Sequence, residues 1–351
     1  MSVKVFATGT TGYIGGDALV ELIEAHPDWQ FTCSVRNSEK GVKIAKVFPS
    51  VRLVYGTLDD VAMIEEEASK ADIVYHFADC DHIPSAEAII RGLARREGTS
   101  PGWYIHTSGT LILGWKTQKE NTYGETDSKV YNDFEGVNEL VKLPDGAAHR
   151  HVDKIVLAAS REHPGKIKTA IVCPPCIWGK GRGPDNRRSV QIYNSAATML
   201  KRQQPFVIGK GENVWHHVHV GDLAQLYRLI GEAAAKGGPP ATWDDQGYYL
   251  AENGSFVWGE VLAAVAKEAH KQGLLKSAEV EHLPPSKELG GFTFSIGTDS
   301  QGKSLRGREL LGWRAMKTSE DLYAEIPSLV EDEAKSVGLV KGHAEKVAGS
   351  V

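Results

Sequence analysis

Thr8-Gly9-Thr10-Thr11-Gly12-Tyr13-Ile14-Gly15 is the stretch on which the fold turns. It follows directly on the apolar run Val3-Lys4-Val5-Phe6-Ala7 and opens an amphipathic segment, 12–25. A glycine loop between a first strand and a first helix lets backbone approach a pyrophosphate, which the free N–H groups of the helix N-terminus attract. Working outward, β-rich runs at 3–8, 31–35, 51–55, 73–77, 103–107 and 167–172 alternate with amphipathic segments such as 61–69 and 86–96. Short runs apolar on both faces, alternating with helices, predict an α/β fold with six parallel strands. A further helix begins near Ala147 and leads into the sixth strand, with Val152, Ile155, Val156 and Ala159 at helical spacing. From Trp178 the chain turns richer in Gly, Pro and Trp, as suits a smaller domain. The expected division is 1–177 for the first domain, with 214–251 returning to it through a helix over 220–235 and a strand over 247–251, and 178–213 plus 252–340 for the second. The polar segment 114–146 is longer than an ordinary connection and reads as a lid or a disordered loop.

The chain has 351 residues, long enough for two domains, and is 41% hydrophobic and 24% charged. Forty Lys and Arg against forty-five Asp and Glu give a net charge of -5. No cluster of basic residues suits a nucleic acid, and no apolar run approaches the roughly 18 residues that span a bilayer. The expectation is a cytoplasmic protein acting on a small-molecule substrate, with a homodimer allowed. Four cysteines, at 33, 80, 173 and 176, do not make a disulfide framework. Cys173-Pro174-Pro175-Cys176 has redox spacing but ends a strand, whereas redox chemistry needs the first sulfur at a helix N-terminus. His216-His217-Val218-His219 puts two imidazoles on one face without a third ligand at suitable spacing, so no metal is expected.

The GxxGxxG spacing resembles the TGxxGxxG loop of the extended short-chain dehydrogenase/reductases, which include nucleotide-sugar epimerases, dihydroflavonol-type reductases and NmrA-like proteins. Further landmarks follow in order: Leu58-Asp59-Asp60, His76-Phe77-Ala78, His106-Thr107-Ser108-Gly109, Pro174-Pro175-Cys176-Ile177-Trp178-Gly179 and Val218-His219-Val220-Gly221-Asp222. The whole chain is most similar to a fungal epimerase-like group. The resemblance implies a Rossmann-type doubly wound sheet with a smaller C-terminal α/β substrate domain. It also implies a dinucleotide held by Gly9, Thr11, Gly12, Tyr13, Ile14, Gly15, Leu58, Asp59, Ala78, Asp79, Thr107, Pro174 and Ile177. An acidic residue at the end of the second strand would select NAD, but the strand ends Val35-Arg36-Asn37. Arg36 offers a charged fork suited to a 2′-phosphate, with Lys40 nearby, so the expected cofactor is NADP(H).

Catalysis in the resembled family rests on Tyr-x-x-x-Lys in the fifth helix and a hydroxyl after the fifth strand. None of the eleven tyrosines here is followed by lysine at that spacing. Alignment puts Asp145 in the tyrosine's place, His149 in the lysine's and Gly109 in that of the hydroxyl, flanked by Ser108 and Thr110. Substitute proton donors are Ser108, Thr110, His149 or His151, and Tyr123 or Tyr131 if the long segment covers the pocket. Trp178, Trp215, Trp243 and Trp258 would line an apolar pocket or fill the core. Three functions fit this pattern: an NADP(H)-dependent reductase of a carbonyl or imine on a small apolar or secondary-metabolite substrate, a cyclase or isomerase holding NADP as a structural element, and an NmrA-like NADP(H) sensor.

Overall fold

Runs of Val, Ile, Phe and Tyr, short enough to be buried on both faces, become the seven strands of one sheet. The computed structural model describes residues 2–340. Its main sheet contains β1 (Lys4–Thr8), β2 (Gln30–Val35), β3 (Arg52–Tyr55), β4 (Ile73–His76), β5 (Gly102–Thr107), β6 (Ile167–Cys173) and β7 (Tyr248–Leu250). Their order is β7-β6-β5-β4-β1-β2-β3, with every neighbouring pair parallel. The expected six strands are present, and Tyr248–Leu250 adds a seventh beside β6.

Period-two alternation sends side chains into two cores, one on each face. Val5, Ala7, Ile73, Tyr75, Trp103 and Ile105 face one core, with α1 (Tyr13–Ala25) and its neighbour Val220–Ala235 over them. Phe6, Val74 and Tyr104 face the other, covered by Val61–Lys70, Ile83–Ala94 and Arg150–Glu162. The order in which the strands are added reverses at β1, between β4 and β2, and the glycine loop leaves β1 at its C-terminal end. That is the switch point at which open α/β sheets bind ligands.

A third core around Trp178, Met199, Phe206, Trp215, Phe256 and Trp258 is closed by helices Gln191–Arg202, Trp258–Lys271 and Ser319–Ser336. Val214–His219 lies in a small sheet with Cys176–Trp178 and Ser255–Val257, not in the main sheet. This strand straddles the two units: Trp215 enters the third core and Val218 the first.

The segment 114–146 is not a free lid. It carries helix Trp115–Glu120, strand Tyr131–Asn132 and helix Val137–Leu140, and buried Asp133 pins it in place. The Asp133 carboxylate accepts the backbone N–H groups of Leu250 (2.9 Å), Leu305 (2.7 Å) and Arg306 (2.9 Å).

Candidate functional site

The glycine loop is shaped by close approach. Gly9 has φ +72°, and a Cβ there would stand 2.6 Å from the backbone N of Ala78 at the end of β4. A Cβ on Gly15 would lie 2.5 Å from Gly9 O and 2.8 Å from Phe77 Cβ. Only glycine at both positions lets loop, helix and β4 meet. No side chain caps α1 at Gly12, so the first-turn N–H groups keep their positive potential for an anion.

Beside the loop lies a cleft of about 550 Å³. Seven of the predicted cofactor residues line it: Gly9, Thr11, Gly12, Arg36, Leu58, Ala78 and Asp79. Ser34, Thr57, Lys40 and Asn186 line it as well. The cradle that side chains would fill, the uncapped helix and the strand-end arginine together fit a dinucleotide. A larger hollow, about 1200 Å³, opens at the opposite end of the strands between Lys4, Lys70, Arg95 and Trp103, away from the glycine loop.

The other predicted cofactor residues do not line this cleft. The Tyr13 hydroxyl donates to Gly179 O at 2.5 Å, and Thr107 Oγ1 is bonded to Tyr227 OH at 2.7 Å. Asp59 pairs with His82 Nε2 at 3.1 Å, and Pro174 O accepts Thr110 N at 3.0 Å. Ile14 and Ile177 pack against the first core, and Gly15 supports the loop from behind. Each contact is one that tertiary packing makes and local sequence does not show.

Residues 179–190 form a strap over the loop. Gly183 packs against Gly16, Asn186 N donates to Thr11 O at 3.2 Å, and Arg182 grips buried Asp17 through Nη2 at 2.6 Å. Asp185 reaches α2 (Ser38–Val47), where it takes Lys43 Nζ at 2.6 Å and also Lys40. Arg36 keeps its guanidinium without a hydrogen bond or ion pair among the described residues. The single cation at the β2 end of the cleft with no internal partner is therefore Arg36.

Near β4 and β5 the predicted catalytic residues separate. Ser108 Oγ donates to Asp153 Oδ2 at 3.2 Å, and Tyr248 OH donates to the same oxygen at 2.8 Å. Asp153 is fully buried, and that burial raises its carboxyl to about 6. Thr110 is buried with its backbone tied to Pro174 and Ser300. His149, at left-handed φ +63°, caps the helix Arg150–Glu162 and points Nδ1 at Asp81 (2.9 Å) and Cys80 (3.3 Å). Burial alone would lower its pKa, but hydrogen bonds with Asp81 and Cys80 outweigh burial and raise it to about 10. Those two partners favour the protonated form of the His149 imidazole while nothing else is bound there.

Tyr123 is a correction: its ring meets Phe294 at 6.0 Å and packs against the third core, so it does not cover the cleft. Tyr131 OH accepts Trp115 Nε1 at 2.9 Å. Asp145, expected to align with the family's tyrosine, lies on the surface before the helix Arg150–Glu162, with Lys154 Nζ at 2.8 Å. Trp178, Trp215 and Trp258 are core residues, and Trp178 donates to His217 Nδ1 at 3.0 Å. Cys173 and Cys176 are fully buried, and burial holds their thiols above the ordinary range. Reading the sequence missed Cys80, Asp81, Asp153, Tyr248 and Asn186. The one local signal was the polar triplet Asp79-Cys80-Asp81 just past β4.

Residues 130–269 match the model of the NAD dependent epimerase/dehydratase family. The chain is 34% identical to Oxidase ucsJ of Acremonium sp. over 349 residues, covering 97% of this chain and 100% of that protein. It is 28% identical to the uncharacterized protein YLL056C of Saccharomyces cerevisiae, covering 92% and 98%. The fold is shared with UDP-glucose 4-epimerase of Thermotoga maritima at a TM-score of 0.65 and 15% identity, covering 95% and 100%. The dTDP-glucose 4,6-dehydratase DesIV of Streptomyces venezuelae gives 0.66 at 15%, covering 97% and 100%. With its glycine loop at the switch point of a seven-stranded parallel sheet and a relative matched along nearly its whole length, the chain belongs to the NAD-dependent epimerase/dehydratase family, of the extended short-chain dehydrogenase/reductase type.

Proposed function

We propose that the protein is an NADP(H)-dependent oxidoreductase acting at a carbonyl or imine of a small apolar or secondary-metabolite substrate. The observation that carries the reading is Arg36, an unpartnered guanidinium at the β2 end of the cleft, where an NAD-selecting site would hold a carboxylate. The oxidase name of the Acremonium relative supports redox chemistry over epimerisation. So does the place of the missing tyrosine, where Asp145 faces solvent.

Gly9, Gly12 and the first turn of α1 would hold the pyrophosphate, Arg36 the 2′-phosphate, and Ala78 and Asp79 the far side of the cleft. When bound, NADPH supplies the hydride. His149 lies beside Gly109, and a Cβ on Gly109 would stand 3.2 Å from its Nε2. Ser108, backed by Asp153 and Tyr248, places a hydroxyl at the end of β5. These groups can orient a substrate oxygen and pass it a proton.

Calorimetric titration with NADPH, NADP, NADH and NAD tests the cofactor, and NADPH absorbance with a panel of aldehydes, ketones and imines tests the chemistry. Selective NADP(H) binding with turnover is expected. Tighter NADH than NADPH binding would refute the cofactor assignment. Product formation without change in NADPH absorbance would point to the cyclase or isomerase reading.

A further inference from the structure

Cys80, Asp81 and His149 meet although 69 residues separate the outer two. Cys80 and Asp81 sit on the turn between β4 and the helix Ile83–Ala94, and His149 lies at the start of Arg150–Glu162. One ligand atom from each, thiol sulfur, carboxylate oxygen and imidazole nitrogen, lies within 4.8 Å of the others. His149 Nδ1 alone faces three acceptors: Cys80 Sγ at 3.3 Å, Asp81 Oδ1 at 2.9 Å and Asp81 Oδ2 at 3.1 Å. An Nδ1–H carries one hydrogen and cannot serve all three well. A cation between them can accept lone pairs from sulfur, oxygen and nitrogen together.

His149 holds φ +63°, a left-handed conformation that is uncommon outside glycine and gathers at functional sites. Its imidazole meets Cys80 and Asp81 and caps no N–H of its own helix. His151 Nε2 bonds to the Asp81 backbone oxygen at 3.2 Å and stands outside the group. Thiolate, imidazole and carboxylate form the ligand set that zinc prefers, in tetrahedral sites with mixed sulfur and nitrogen donors.

We propose that Cys80, Asp81 and His149 bind a divalent zinc-class ion, with the fourth position open. The site adjoins Asp79 of the dinucleotide cleft, on the β4 side of the glycine loop and across it from Arg36. A dinucleotide that straddles the loop with its adenosine at Arg36 brings its nicotinamide to this side. With three protein ligands and one open position, the ion becomes an electrophile for a substrate oxygen. That is the role for which this chain has no tyrosine. The placement of the electrophile rests on the proposed oxidoreductase reading, whereas the ion site itself does not.

The test uses full-length protein stripped of metal and titrated with cobalt(II), then with zinc in competition with a chromophoric chelator. A one-to-one complex with an intense near-ultraviolet sulfur-to-cobalt band is expected. Cys80→Ser should abolish that band, and Asp81→Asn and His149→Gln should each weaken zinc binding at least tenfold. Circular dichroism shows whether each variant is folded. Absence of a one-to-one complex, or a sulfur band that survives in folded Cys80→Ser, overturns the site. NADPH titration of the same metal-free protein separates the two readings. Dinucleotide binding without cobalt binding removes the ion site alone, and cobalt binding without dinucleotide binding removes the oxidoreductase reading and leaves the ion site standing.

Discussion

Arg36→Ala should convert a cleft that prefers NADPH into one that scarcely distinguishes it from NADH. Lys40, the other cation lining that end of the cleft, is held by Asp185 of the strap, so Arg36 meets a 2′-phosphate without first giving up a partner. A hydrogen bond to a charged group contributes about 1.5–3 kcal/mol where water is excluded. Because Arg36 is exposed, solvent screening brings its whole contribution down to about 1–2 kcal/mol. That is roughly a 5- to 30-fold loss of NADPH affinity. NADH affinity should change less than twofold, since its ribose has no phosphate for the guanidinium. Titration calorimetry at low and at moderate salt gives both values, and the difference between wild type and variant should shrink as salt rises. Equal weakening of NADPH and NADH, or no change in either, would refute the reasoning: the first would mean that Arg36 shapes the cleft, the second that it points away.

Gly15→Ala puts a methyl 2.5 Å from Gly9 O, at a cost of about 1–3 kcal/mol of stability, and should abolish dinucleotide binding in protein that still folds. Urea unfolding and NADPH titration read the two effects separately. Asp133→Ala strips two buried N–H groups and one half-buried one of their acceptor, and at about 1–3 kcal/mol for each buried group it should lower stability by at least about 2 kcal/mol in chemical denaturation. Asp153 titrates near 6 when folded and near 3.8 in its ordinary state. Its proton is held more tightly in the folded protein, so its contribution to stability is full below about 3.8 and is lost as pH rises through about 6. Asp153→Asn should remove that loss, so the variant should gain stability relative to wild type between pH 4 and 7 in paired unfolding curves. Parallel curves across that range would show that the carboxyl is not perturbed.

The sheet and its switch point were legible because their signals are local. A glycine loop, a strand of five residues and a helix period stand side by side in 4–25. The strand at 247–251 was legible as one that returns to this domain, but not as a seventh member beside β6, whose last residue Cys173 lies 75 positions before Tyr248. The cofactor cleft was half legible. Gly9, Gly12 and Arg36 are defined by position along the first two strands, but Thr107 and Tyr13 are turned away by Tyr227 and Gly179, residues far off in the chain. The long polar segment looked like a lid because nothing near Asp133 shows that its partners lie at Leu250 and Leu305. Likewise Cys80 and His149 are unremarkable in their own neighbourhoods, and only the packing of two helix N-termini side by side makes them a group.

The strap at 179–190 spans the loop from Gly16 to α2 and is clamped at both ends, by Arg182 on Asp17 and by Asp185 on Lys40 and Lys43. Such a clamp acts on time as well as on affinity. A dinucleotide reaching under it, past Asn186, would leave no faster than those ion pairs open, so its residence would depend on the strap as well as on the contacts of the cleft. The protein should then keep its dinucleotide through purification and exchange it slowly, and loosening Asp17 or Asp185 should speed release with little change in the resting structure.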